Sequence, residues 1–235
     1  MEREKNHVKG AILSASDAES IRRAGRIITS GGLVAFPTET VYGLGCDVMN
    51  AEAAAKVFEA KQRPQFDPLI VHIADLTQLE MVIASLPAVG QQLIDAFWPG
   101  PLTLVLPKQP TIPDLITAGL STVAVRMPNH PVAQSLIREA GTPIAAPSAN
   151  LFGYVSPTTA QHVAAGLGST IDLILDDGPC PIGVESTIVS LAGSQPELLR
   201  PGSITIEQLS AVIGAIRRSV SVNHKPIAPG QLSRH

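Results

Sequence analysis

Short apolar runs alternate with longer stretches whose apolar positions recur every three or four residues. Leu33–Phe36, Leu69–Ile73, Leu102–Leu106, Val123–Arg126 and Pro143–Ala146 read as buried strands, with two more near 171–175 and 184–191. Ser16-Asp17-Ala18-Glu19 reads as a capping box opening a helix with Ile21, Ala24 and Ile28 on one face, closed by Gly31-Gly32. Asn50 is expected to cap a second helix through Ala53, Val57 and Ala60, which Pro64 must terminate. Further helices are expected near 76–84, 88–97, 130–140, 158–166 and 205–214. Strands this apolar, alternating with helices, predict an α/β domain whose sheet is buried on both faces.

Composition narrows the class. Only 16% of the 235 residues are charged, against a usual value of about 25%, while 45% are apolar. That balance argues against disorder. The net charge of -3 gives no general attraction to nucleic acid, so any anion site must be local. Cys46 and Cys180 cannot build a disulfide framework or a zinc site, and read as free thiols in a reducing compartment. Met1-Glu2-Arg3-Glu4-Lys5 lacks an apolar signal core, and no stretch has the ~18 apolar residues of a membrane span. A soluble, cytoplasmic protein is expected. The domain should cover 1–215; from 216 to 235 the chain turns polar and Pro- and Gly-rich, like a linker.

The polar groups fall into clusters beside the predicted strands: Pro37-Thr38-Glu39-Thr40, Lys61-Gln62-Arg63-Pro64, Pro147-Ser148-Ala149-Asn150, Glu185-Ser186-Thr187 and Arg200-Pro201-Gly202. Together they suggest a polar pocket assembled from strand ends. Lys61 and Arg63 would diverge on an intact helix, but a break at Pro64 lets both face one anion; equally, cations simply favour a helix C-terminus. Arg126 and Arg200 each end an apolar stretch and need a buried partner, either an anionic ligand or an internal carboxylate. His72 is either a core residue or a binding group. Each hydroxyl and amide could instead cap a helix or turn. Gly43-Leu44-Gly45-Cys46-Asp47-Val48 fails the third glycine of the dinucleotide fingerprint, and no phosphate loop, nucleophile elbow or basic partner for a cysteine is present.

Taken in order, these phrases resemble the threonylcarbamoyl-AMP synthase family, whose members share a YrdC-like domain. Trp98-Pro99-Gly100-Pro101-Leu102-Thr103, Val125-Arg126-Met127-Pro128, Gly183-Val184-Glu185-Ser186-Thr187 and Leu199-Arg200-Pro201-Gly202 belong to the match, which runs from about Ser14 to Leu209. The resemblance implies an open, twisted, mixed sheet flanked by helices, with a concave cationic active site. It implies synthesis of L-threonylcarbamoyladenylate and pyrophosphate from L-threonine, bicarbonate and ATP with Mg²⁺. A partner transferase complex would then modify adenosine 37 of tRNAs that read codons beginning with A. By position, Thr40, His72, Arg126, Ala146 and Ser186 resemble threonine contacts. Lys61, Arg63, Asp67, Thr122, Ser148, Asn150, Ser156 and Arg200 resemble nucleotide contacts, with Lys61, Arg63 and Arg200 suited to stabilising the reacting phosphates. Asp67 stands where the family usually has Asn before Pro-Leu. Ala228-Pro229-Gly230-Gln231-Leu232-Ser233-Arg234-His235 resembles the linker of two-domain members, implying a two-domain protein cut within its linker, or a short form.

Two other readings compete. One is the carbamoyl-adenylate-handling domain of hydrogenase-maturation carbamoyltransferases, whose extra segments are not visible here. The other is a module for double-stranded RNA or tRNA. The acidic balance and 3% aromatic content limit that to weak RNA binding.

Overall fold

The computed structural model describes residues 10–219. Eleven strands form one open sheet, flanked by helices. The strands are β1 (Ala11–Ser14), β2 (Val34–Phe36), β3 (Gly43–Asp47), β4 (Ile70–His72), β5 (Leu102–Pro107) and β6 (Thr122–Arg126), followed by β7 (Ile144–Ala145), β8 (Leu173–Asp176), β9 (Thr187–Ser190), β10 (Glu197–Arg200) and β11 (Arg217–Arg218). Their order is β1-β8-β2-β3-β7-β4-β6-β5-β9-β10-β11, with parallel and antiparallel pairs mixed.

The period of two along the strands divides the core. Ala35, Val71, Leu104, Val125 and Ile174 enter the larger cluster, packed under α2 (Ala51–Lys61), α4 (Ala88–Phe97), α7 (Ala160–Leu167) and α8 (Ile206–Ile213). Val34, Phe36, Leu173 and Leu175 point the other way, under α1 (Ala18–Thr29) and α6 (Pro131–Ala140). A third, smaller cluster of Ile70, Val105, Ala124, Ile188 and Leu199 occupies the strands farther along that second face. It is this stretch that floors the site.

Two local expectations are corrected, and a third stretch takes a form the sequence left open. α1 is capped by Asp17, which accepts from the Glu19 N–H and the Ser20 hydroxyl, whereas Ser16 pairs with Ser14 at the end of the unforeseen β1. α2 does begin at Asn50, whose side chain accepts from the Ala53 N–H. Its end is set at Gln62, in the left-handed region at φ 51°, before Pro64 is reached. Gly43-Leu44-Gly45 is a strand: Leu44 is core, while a Cβ on Gly45 would lie 2.9 Å from Phe36 and 2.8 Å from Ile144. Glycine is there because two large neighbours fill its side-chain space.

Arg217–Arg218 pair with the edge of β10. The remainder of the expected linker, including Ala228–His235, lies outside the described residues. Among those described, no helix is long and apolar enough to cross a membrane.

Candidate active site

A cavity of about 310 Å³ opens on the second face of the sheet, within the size range of small-molecule sites. Eleven of the residues singled out from sequence line it: Thr40, Lys61, Arg63, Asp67, His72, Arg126, Ala146, Ser148, Asn150, Ser186 and Arg200. Strand register explains how they converge. His72 and Arg126 are register partners at the ends of the parallel pair β4 and β6, so their side chains share a face with Ile70 and Ala124.

Arg200 reaches the same face through an irregularity. β10 pairs Leu198 with Val189 but Arg200 with Ile188, leaving Leu199 as the extra residue of a bulge. Without that slip, alternation would send Arg200 into the large core. With it, Nε of Arg200 donates to the Ser186 carbonyl at 3.0 Å and Nη2 to the Ser186 hydroxyl at 3.1 Å.

The Arg126 guanidinium is buried among protein groups. Nε donates to the Gly100 carbonyl at 3.2 Å and Nη1 to Thr40 Oγ1 at 2.9 Å. Nη2 lies 2.7 Å from Glu39 Oε2 with both side chains buried, a close ion pair in which neither Nη2 nor the two carboxylate oxygens makes a hydrogen bond. An internal carboxylate thus meets this arginine. His72 lies beside it, edge-on to Phe36, with Nδ1 buried and unpartnered. Burial, reinforced by Arg126, pushes its pKa down to about 3, so the ring is a neutral acceptor near pH 7.

Across the cavity, Lys61 is 1% exposed and donates to the backbone carbonyls of Ser148 and Asn150. Burial, then the neighbouring Arg63, depress its pKa well below the usual lysine range. The left-handed Gln62 turns the chain so that Lys61 and Arg63 both face the cavity, as their sequence spacing alone would not allow. Arg63 pairs with Asp67 at 2.8 Å and donates to the carbonyls of Asp67 and Pro68. Asn150 Oδ1 and Asp67 Oδ1 are buried without a hydrogen-bond partner. The concavity therefore gathers four cations together with the carboxylates of Asp67 and Glu185, and Arg63 and Arg126 each face a carboxylate.

Two of the residues singled out do not line the cavity. Thr122 sits at the opposite end of β6 from Arg126, four residues or about 13 Å away. Ser156 stands behind the wall, its hydroxyl donating to Glu185 Oε1 at 2.6 Å. Several participants were not foreseen in their roles. Glu39 holds Arg126; Thr103, fully buried, shares a 2.7 Å hydrogen bond with Ser186. Phe152 and Tyr154 form part of the wall. The one sequence signal was Thr103, a hydroxyl inside the apolar run Leu102–Leu106.

Cys46 and Cys180 are free and buried, and burial raises their thiols to about 12 and about 11. Neither is an activated nucleophile. Among the described residues, no group of three or more His, Cys, Asp or Glu could hold a metal ion.

A family model described as "Telomere recombination", that of Sua5, YciO and YrdC, matches residues 26–202. The chain is 52% identical over 227 residues to the threonylcarbamoyl-AMP synthase of Bacillus subtilis, covering 95% of this chain and 65% of that protein. It is 50% identical over 219 residues to the enzyme of the same name from Pyrococcus abyssi, covering 92% of this chain and 64% of that one. The solved structure of P. abyssi Sua5 complexed with L-threonine superposes with a TM-score of 0.90 at 49% identity, covering 93% of this chain and 66% of that one. The chain thus spans somewhat less than two thirds of the length of these two curated relatives. By family match, identity and fold together, it belongs to the Sua5–YciO–YrdC family.

Proposed function

We propose that this chain makes L-threonylcarbamoyladenylate and pyrophosphate from L-threonine, bicarbonate and ATP, for modification of adenosine 37 in tRNAs by a separate transferase complex. The observation that carries the reading is the single cavity in which Arg126, His72, Thr40 and Ser186 face Lys61, Arg63, Arg200, Ser148 and Asn150. One side offers a guanidinium, a neutral acceptor and hydroxyls, suited to an amino acid. The other offers cations and amides, suited to a nucleotide. That P. abyssi Sua5 forms a complex with L-threonine supports an amino acid as one of the substrates.

The chemistry asks for no enzyme nucleophile. The threonine amine, having lost a proton, bonds to the carbon of CO₂, which bicarbonate yields on taking up a proton and losing water, and a second proton leaves the nitrogen to give the carbamate. A carbamate oxygen then bonds to the α-phosphorus as the bridging P–O bond breaks and pyrophosphate leaves. Holding the reactants together and stabilising charge on the phosphates supplies the rate. Arg63, Lys61 and Arg200 would stabilise that charge, and Arg126 would anchor the threonine carboxylate. With a pKa of about 3, His72 cannot take the proton of an α-ammonium, whose pKa is about 8. It serves as a hydrogen-bond acceptor. Among the described residues no group of three or more His, Cys, Asp or Glu could hold a metal ion, and Mg²⁺ would enter with ATP as part of the nucleotide substrate.

Pyrophosphate release from Mg-ATP, with threonine and bicarbonate each omitted in turn, tests the reading. Release should require both. Release with neither present would sink it.

A further inference from the structure

On the nucleotide side, three cations already surround an anion. Asp67 lines the cavity with Lys61, Arg63 and Arg200. Arg63 lines the cavity but its guanidinium is already engaged. It folds back, with Nη2 2.8 Å from Asp67 Oδ2 and 3.0 Å from the Pro68 carbonyl, and Nε 3.2 Å from the Asp67 carbonyl. The two side chains are 7% and 3% exposed. The second carboxylate oxygen, Oδ1, is buried and accepts nothing. Burial pushes the Asp67 carboxyl upward, while Arg63, Lys61 and Arg200 each pull it down, so all three cations act on this group.

We propose that Asp67 is a resident counter-anion: it holds Arg63 in the unliganded site, and incoming phosphates must take Arg63 from it. The inference rests on reading this side as the polyphosphate site. Its physical basis is like-charge repulsion. A phosphate that reaches Lys61 and Arg63 comes within a few ångströms of a carboxylate that cannot be screened by water. At intermediate dielectric this repulsion, partly offset by Arg63, weakens polyphosphate binding by about tenfold. The same competition favours release of pyrophosphate, since Asp67 reclaims Arg63 when the product loosens. Asp67 thus trades affinity for turnover.

Asp67→Asn separates charge from shape, because the amide oxygen can still accept from Arg63. The test is calorimetric titration of wild-type and D67N protein with ATP, inorganic pyrophosphate and adenosine, each with and without Mg²⁺. ATP and pyrophosphate should bind D67N about tenfold more tightly, while adenosine binding stays unchanged. Should D67N fail to fold, Asp67→Ser removes the same charge with a smaller side chain, and the same order is expected. Equal or weaker ATP binding by the folded variant overturns the proposal and leaves the synthase reading intact. Weaker binding confined to the Mg²⁺ arm also overturns it, making Asp67 a metal ligand instead. A wild-type protein that binds neither ATP nor pyrophosphate removes the polyphosphate site, and the proposal with it.

Discussion

On the proposed threonine side, Arg126 spreads its guanidinium over Glu39, Thr40 and the Gly100 carbonyl, every nitrogen facing a neighbour. On the proposed nucleotide side, Arg63 leans back on Asp67 and Pro68 while Lys61 is clamped by two carbonyls. Both sides bury an arginine against a carboxylate. They differ in what remains. The first has one cation and one anion, a balance suited to a zwitterion. The second gathers three cations, Lys61, Arg63 and Arg200, about Asp67, with Glu185 also in the lining, a predominance of positive charge suited to a polyanion. The comparison teaches that the charge of each subsite is set by buried counter-ions as much as by the cations.

The largest expected effect breaks the first pair. Arg126→Met leaves Glu39 buried and unpaired, and should cost about 3–5 kcal/mol of stability. The double variant Glu39→Gln/Arg126→Met should recover most of that loss without recovering threonine binding. Urea unfolding of the three proteins gives the comparison. If R126M costs under about 1 kcal/mol, Glu39 is solvated in solution and the pair is not the device described here.

Next comes Lys61→Met on the other side. Its stem is already buried, so the fold should tolerate the change better than the loss of Arg126. Activity should not: losing a donor aimed at developing charge should lower kcat/KM by about 10²–10³. Steady-state pyrophosphate release measures it. A K61M enzyme of undiminished rate would show that the carbonyls of Ser148 and Asn150, and no substrate, are what Lys61 serves.

A third effect is pH-dependent and belongs to His72. Its folded pKa of about 3 lies below the unfolded value near 6.5, so between those pH values the unfolded state binds more protons. Stability therefore falls as pH drops through 6.5, by about 2 kcal/mol between pH 7 and pH 5 from this group alone. His130, also depressed by burial, contributes in the same direction. The measurement is thus the difference between wild type and His72→Gln in thermal melts across that range. Parallel curves would mean that His72 titrates normally and that the cavity admits water freely.

Much of the architecture was legible because alternation and helical periodicity are local. β2, β4, β5 and β6 follow from runs such as Leu102–Leu106, and α2 from Asn50 onward. β3 was not, because its glycines look like a loop until Phe36 and Ile144 are seen filling their space. Most site residues were legible through the family resemblance, since their phrases are ordered along the chain. Their counter-ions were not. Glu39 and Arg126 lie 87 residues apart, and only the strand ends bring them together. Asp67 lies four residues from Arg63, but the pairing depends on the left-handed turn at Gln62, which nothing in the residue type announces.

The smallest effect tests whether the two sides are independent. Ser186 stands where they meet: it was expected to contact threonine, yet its carbonyl and hydroxyl both accept from Arg200. Behind it, the fully buried Thr103 hydroxyl shares the 2.7 Å hydrogen bond that fixes the Ser186 side chain. Thr103→Val keeps the packing volume and removes only that hydroxyl. One neutral hydrogen bond is worth about 1 kcal/mol, so urea unfolding should register a loss of that size. The kinetic result is more informative. With Ser186 less firmly held, the KM values for threonine and ATP should rise together, by about fivefold at most. A rise in only one would show that Ser186 serves a single side, and that the subsites are coupled by their counter-ions alone.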